Sequence, residues 1–471
     1  MKESLALDPL DYWARHLDGR SLGNNQARLD VALDYLRSSL YSGAREILAS
    51  GNYEIVDGSV PMLLYMLGHI AYRTGEVAKA REYDRRASQA APDYCFPSRL
   101  EEMSILEGVL ERNPDDARAH YYLGNLLCDR RRHEEAIFHW ESSAGLDPSF
   151  PVVWRNLGIA YFNIREDIGA ARSAFRKAVQ TNPGDARLLY ERDQLSKRAG
   201  LSPKERLSEL QNSSELAAAR DDLTIELCSL YNDSGQPGKA LTLLENRIFQ
   251  PWEGGEGLVL GQWVRTQLGL ARSLWMSGKE GCVQAHLRRA LEPPENLSEN
   301  WHLLANRSSV YYWLGIACEM AGKSDEAVAW WTRAAESEGD FQDMNVKQFS
   351  EMTYYSAMAL IRLERAKEGE SLLRSLLGHA RGVRCTKAAV DYFATSLPAM
   401  LLFNDDLQKR RRITSMFLEG QAALGLGYTH RGRRLLRETL RLDPSHSPSM
   451  DLLSELEIEP ILQNRRSCQL T

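Results

Sequence analysis

Cysteine is scarce, with seven in 471 residues scattered singly and no C-x-x-C pair, so the sequence offers neither a disulfide framework nor a zinc module. Long apolar runs are missing. The longest candidate, Tyr392 to Phe403, falls short of the ~20 residues that a membrane span needs and carries Pro398. The start, MKESLALDPLDYW, lacks the basic opening and apolar centre of a signal peptide. Nor is there an excess of positive charge: 58 Lys+Arg stand against 64 Asp+Glu, for a net charge of -6, which argues against a dedicated nucleic-acid binder. These absences predict a reduced, cytoplasmic protein with no metal and no cofactor. What is present is ordinary for a folded chain, 43% hydrophobic and 26% charged. At this length one core rarely suffices, leaving several compact domains or one elongated array.

Internal repetition decides between them. Trp154, Leu157, Gly158, Tyr161, Ala171, Phe175, Ala178 and Pro183 form one unit, and Leu123, Gly124, Ala136, Trp140, Ser143 and Pro148 the one before it. Weaker copies run through Leu67, Gly68, Ala80, Ala87 and Pro92, through Leu314, Gly315, Gly322, Ala327, Trp331 and Ala334, and through Gly420, Ala423, Gly427, Gly432, Leu436 and Pro444. Small residues at one position oppose large rings at another, as close packing of two helices requires. Gly75 and Gly322 fall where a left-handed turn would end the first helix of a pair. The prolines mark the end of the second.

This pattern resembles the tetratricopeptide repeat, with its period of ~34 residues. The resemblance implies an all-α, right-handed superhelical solenoid of antiparallel helix pairs, a repeat protein of about ten pairs. Residues 1–60 read as degenerate helical repeats, 61–250 as an array with an extra helix at 95–113, 251–261 as a glycine-rich irregular loop, 262–381 as a further array, 382–412 as a non-repeat insertion, 413–446 as a repeat and 447–471 as a tail. The extra helix is predicted to open on a capping box of Ser98 and Glu101. Leu7-Asp8-Pro9 looks like the end of a repeat whose beginning lies upstream, and the whole is similar to the carboxy-terminal repeat region of large bacterial tetratricopeptide proteins.

The resemblance also implies function: a scaffold binding a protein or peptide partner in the concave groove, with no catalysis of its own. In register, Tyr65, Tyr121, Tyr312 and Tyr354 fall at one groove position, His69 and Asn125 at another, with Arg155 and Asn156 beside them. Tyrosine combines contact area with a hydroxyl at low entropic cost, which suits recognition. Asn125 and Asn156 match the asparagines of the carboxylate clamp in some relatives, but Tyr121, Ala186 and Tyr190 stand where that clamp has basic residues. The alternative is a carbohydrate-binding or carbohydrate-processing protein built on PWEGGEG. There Trp252 would stack on a sugar while Glu253 and Glu256, or either with Asp340 or Asp391, supply the two carboxyls of glycoside hydrolysis. Other motifs fail on context. Gly19-Arg20-Ser21-Leu22-Gly23 lacks the strand of a nucleophile elbow, and the basic runs 130–132 and 409–412 are flanked by acids and have no interleaved aromatics.

Overall fold

The computed structural model describes residues 1–51, 53, 57–342, 345–388 and 402–469. It is an all-α solenoid of helix pairs, divided into two units, Met1–Pro183 and Gly184–Thr471.

In the first unit the pairs are Asn25–Arg37 with Tyr41–Ala49, Val60–Arg73 with Val77–Gln89, Ala117–Asp129 with His133–Leu146, and Pro151–Asn163 with Ile168–Thr181. The sequence dictates their ends. Asp116 and Asp167 accept from the backbone N–H groups that open their helices, satisfying donors with no partner inside the helix. Pro148 and Pro183 follow two residues after the second helices stop. Gly75 has φ +82°, as a left-handed turn requires. Small against large is literal here. A Cβ on Gly124 would lie 2.6 Å from the Trp140 indole, and one on Gly158 would lie 2.4 Å from the Phe175 ring.

The extra helix runs Leu100–Arg112, and its cap sits one residue later than the sequence suggested. Glu102, not Glu101, reaches back to the N–H groups of Ser98 and Arg99 (2.7 and 2.9 Å). Glu101 is instead paired with Arg37 at 2.6 Å. Two acids stand in the first turn, and the long-range partner decides which one caps.

The second unit contains Ala186–Arg198 with Pro203–Gln211, then pairs Asp221–Asp233 with Pro237–Glu245, Leu258–Met276 with Val283–Leu291, Ser308–Met320 with Ser324–Ala335, Met352–Arg362 with Ala366–Cys385, and Leu407–Gly425 with Thr429–Leu442. Three expectations change. The glycine-rich loop ends early, because helix Leu258–Met276 opens inside 251–261 from Gly257 at φ +78°. The insertion at 382–412 is narrowed from both sides, by a helix running to Cys385 and another starting at Leu407, whose Asp406 caps the Lys409 N–H. Most consequentially, 447–471 is not a tail: Ser447–Gln469 is a helix. A small antiparallel hairpin, Asp340–Gln342 with Asn345–Lys347, occupies the link near 339–349.

Candidate partner-binding faces

The four tyrosines are core residues in this structure, between 0% and 6% exposed, and not open anchors. In the first unit Tyr65 donates from its hydroxyl to Asp116 (3.0 and 3.1 Å), the same carboxylate that caps helix Ala117–Asp129. Burial, then the charge of Asp116, raises the Tyr65 hydroxyl well above the usual tyrosine range. Tyr121 meets the Phe150 ring edge-on at 4.8 Å. The extra helix Leu100–Arg112 packs on Val60–Arg73 and Ala117–Asp129, the helices that carry these rings. His69 lies under it, 3.9 Å from where a Gly108 Cβ would stand, and burial with the charges of Arg112 and Arg73 pushes its imidazole down to about 4.

An ion pair locks this helix. In the second pair, the place taken by Trp140 and Phe175 in later pairs holds Asp84, 2.2 Å from a Cβ on Gly68. Arg112 grips that carboxylate with Nε and Nη2 (3.1 and 2.9 Å) and sits 4.9 Å from the Tyr72 ring. The missing aromatic of this weak repeat was the available sequence signal.

Asn125 and Asn156 are brought together. The Asn125 carbonyl oxygen accepts from Asn156 Nδ2 at 3.1 Å and from the Trp140 indole at 3.0 Å. Both asparagines and Arg155 are half-buried, and the Arg155 charge acts on the neighbouring Tyr121 hydroxyl.

In the second unit, helix Ser447–Gln469 joins the core that holds Tyr312 and Tyr354. Its Leu452, Leu456, Ile458 and Leu462 share one core with Tyr312, Trp313, Tyr354, Tyr355 and Phe417. Asp451 is held by Arg265 (2.7 Å) and Arg272 (3.0 Å), and Glu455 by Arg272 (3.1 Å) and the donating Tyr355 hydroxyl (2.9 Å). Arg265 also pairs with Asp233 at 2.7 Å, and Ser447 donates to the same carboxylate. Burial works against the charge of Asp451, and Arg265 and Arg272 overcome it, holding the carboxyl below its usual range. For Glu455 burial prevails over Arg272 and the carboxyl is pushed up to about 7.

The PWEGGEG loop lies at the surface. Glu253 and Glu256 are exposed on successive turns. Trp252 is half-buried, folded over Gly255, where a Cβ would stand 2.0 Å from its ring. Asp340 is buried in the hairpin link, occupied by the Asn306 N–H and Gln342 Nε2 (3.0 and 2.9 Å). Asp391 lies outside the described residues. The acid that organises this region is one the sequence did not single out: Glu299 accepts from the N–H groups of Gly257 and Leu260 (2.9 and 2.7 Å), capping helix Leu258–Met276 across 39 residues or more. Among the described residues no cluster of three His, Cys, Asp or Glu could hold a metal ion, and no helix is long and apolar enough to cross a membrane.

Residues 104–151 match the family model of a tetratricopeptide repeat, and residues 308–333 match a second such model. The chain carries tetratricopeptide repeats. Among solved structures, the chain is similar to YrrB, a TPR protein with an unusual peptide-binding site, at 15% identity over 48% of this chain and 89% of that one, with a TM-score of 0.27. It is similar also to a tetratricopeptide repeat protein from Parabacteroides merdae ATCC 43184, at 15% identity over 62% and 98%, TM-score 0.27. A third is MamA of AMB-1, at 19% identity over 41% and 91%, TM-score 0.24. The first matched tetratricopeptide segment takes in helices Ala117–Asp129 and His133–Leu146, and the second takes in Ser308–Met320 and most of Ser324–Ala335.

Between the helices of that first matched repeat lies a histidine pair that spacing alone did not connect. His120 Nε2 donates to the Pro114 carbonyl (3.0 Å), so its Nδ1 accepts from His139 Nδ1 at 2.8 Å. A second proton would place two imidazolium rings in contact. Burial, then the neighbouring His120, pushes His139 down from 6.5 to about 4, with Arg132 adding to the shift and Glu135 opposing it. A depressed histidine contributes stability that is present above the unfolded pKa and lost as pH falls through the folded one. The urea midpoint of the first unit should therefore fall between pH 6.5 and 4. His139→Asn, which keeps a donor without titrating, should remove this residue's share of the slope and leave that of His69, and an unchanged slope would assign all of it to other groups.

Proposed function

We propose that this tetratricopeptide chain is a protein-interaction scaffold whose first-helix faces accept helical or extended segments of protein partners. The observation that carries the reading is the packing of the second unit: its first helices hold a helix that belongs to no pair, through arginine–carboxylate contacts and apolar side chains. A face built to hold one helix by charge and shape is a recognition surface. In the first unit the candidate residues are the bonded Asn125 and Asn156, with Arg155 preceding Asn156 in the same helix, all half-buried, and Arg155 is suited to an acidic group on the partner. The buried tyrosines act in this reading by fixing the helices that present these groups.

The test is capture with the full chain carrying a photocrosslinking residue at Asn163, on the same helix as Arg155 and Asn156. Crosslinked partners should be lost about tenfold on Arg155→Glu, the effect of ~1.4 kcal/mol at a charged contact, with helicity unchanged. Capture that ignores the substitution would remove this face from the reading.

A further inference from the structure

Helix Ser447–Gln469 stands outside the repeat pairing. It packs on Thr429–Leu442, the second helix of the last pair, where Arg433 donates to the Leu456 carbonyl at 3.2 Å. It also touches or is bonded to the first helices Asp221–Asp233, Leu258–Met276 and Met352–Arg362. Each of these four has its own partner, so its departure leaves every pair complete. Its grip is unusually polar for a core element. Asp451 and Glu455, four residues apart, lie on one helix face and meet Arg265 and Arg272, while Leu452 and Leu456 follow them into the aromatic core. Buried ion pairs of this kind specify geometry more than they stabilise, because desolvation offsets much of the attraction. Pro460, inside the helix, removes one of its own backbone hydrogen bonds.

We propose that helix Ser447–Gln469 is an exchangeable internal ligand, and that it is displaced by an amphipathic partner helix carrying two carboxylates four residues apart, each followed by a leucine. This rests on the scaffold reading above and narrows it to one partner chemistry. A partner with this pattern reproduces both arginine contacts and both apolar insertions, so exchange leaves no buried charge unpaired. The same face thereby rejects helices with lysine at either acidic position.

Hydrogen exchange on the full chain tests the release directly. Amides of 450–458 should exchange at least 100-fold faster than those of 263–275 and 412–424, because the helix leaves without unfolding any pair. Equal protection would mean that it leaves only with global unfolding, and would overturn the proposal. A labelled peptide of residues 447–462 then probes the vacated face. It should bind the Asp451→Lys/Glu455→Lys chain at least tenfold more tightly than the unaltered chain. The same peptide with lysines at both acidic positions should bind neither, yet bind an Arg265→Glu/Arg272→Glu chain. A peptide that binds none of them would overturn the proposal, and so would a concentration-dependent dimer without peptide binding, which would give the face to a second copy. If a charge-reversed chain fails to fold, the exchange measurement on the unaltered chain still decides. Partner capture through Arg155 of the first unit is independent of all these outcomes, so failure here leaves the scaffold reading to its own test.

Discussion

Arg206→Ala is expected to destabilise the second unit by about 3–5 kcal/mol, the cost of leaving buried charge unpaired. The Arg206 side chain is fully buried and bridges Asp193 and Glu226 at 2.5 Å each, with Nη1 donating to Ser445 at 2.9 Å. Burial works against the charge of Glu226, and Lys197 and Arg206 overcome it, holding its carboxyl at about 2. Without the guanidinium, Asp193 has no compensating cation of comparable geometry and Glu226 keeps only Lys197 at 2.9 Å. In a repeat array each pair depends on its neighbours, so the loss should concentrate on helices 186–211 and 221–233 and fade toward the far end. Hydrogen exchange resolved by helix would show this, and undiminished protection at 221–233 would refute it. Arg206→Met combined with Asp193→Asn and Glu226→Gln should recover most of the loss, since no net charge then remains buried. Ser445 precedes helix Ser447–Gln469 by two residues, so Arg206→Ala should also loosen that helix, beyond what its own side chains lose.

Trp331→Ala is expected to cost about 3–5 kcal/mol, through lost burial and the cavity left behind. The indole is buried, donates to the Tyr312 carbonyl at 3.3 Å and lies 2.2 Å from where a Gly315 Cβ would be. That closeness predicts an inverse pair. Gly315→Leu alone overpacks the site, costing ~1–3 kcal/mol or more, whereas Gly315→Leu within Trp331→Ala refills part of the cavity and restores stability. Urea unfolding followed by circular dichroism measures all three variants. A double variant as unstable as the sum of the singles would show that ring and glycine do not share one space.

These two sites differ in what the sequence revealed of them. Gly315 and Trp331 stand out because a helix pair repeats its own geometry: the close approach demands a small residue, the space opposite demands a ring, and both recur at the repeat spacing. The turn glycines and terminal prolines are legible for the same local reason. Asp193, Arg206 and Glu226 follow no period, since an ion pair needs only that three side chains meet, and chain spacing does not encode meeting. The Asp84–Arg112 pair is intermediate. Its repeat announced itself by a missing aromatic, but nothing local said that an arginine from an inserted helix would fill the place.

The sequence by itself determined the helix pairs, their register and the residues that share each helical face, because these follow from 3.6-residue periodicity, caps and side-chain volume. It did not determine what covers each face. Tyr65 and Tyr354 share a register position, yet the helix of one is met by the extra helix Leu100–Arg112 and the other lies in a core joined by helix Ser447–Gln469. The latter is fixed by contacts such as Tyr355 with Glu455, 100 residues apart, and Arg272 with Glu455, 183 apart. The tertiary structure alone decided that the four tyrosines are buried, that residues 447–469 form a bound helix, and that Arg265 and Arg272 face its carboxylates. The physical reason is that periodicity fixes which side chains point the same way, while burial depends on which distant segment arrives to meet them.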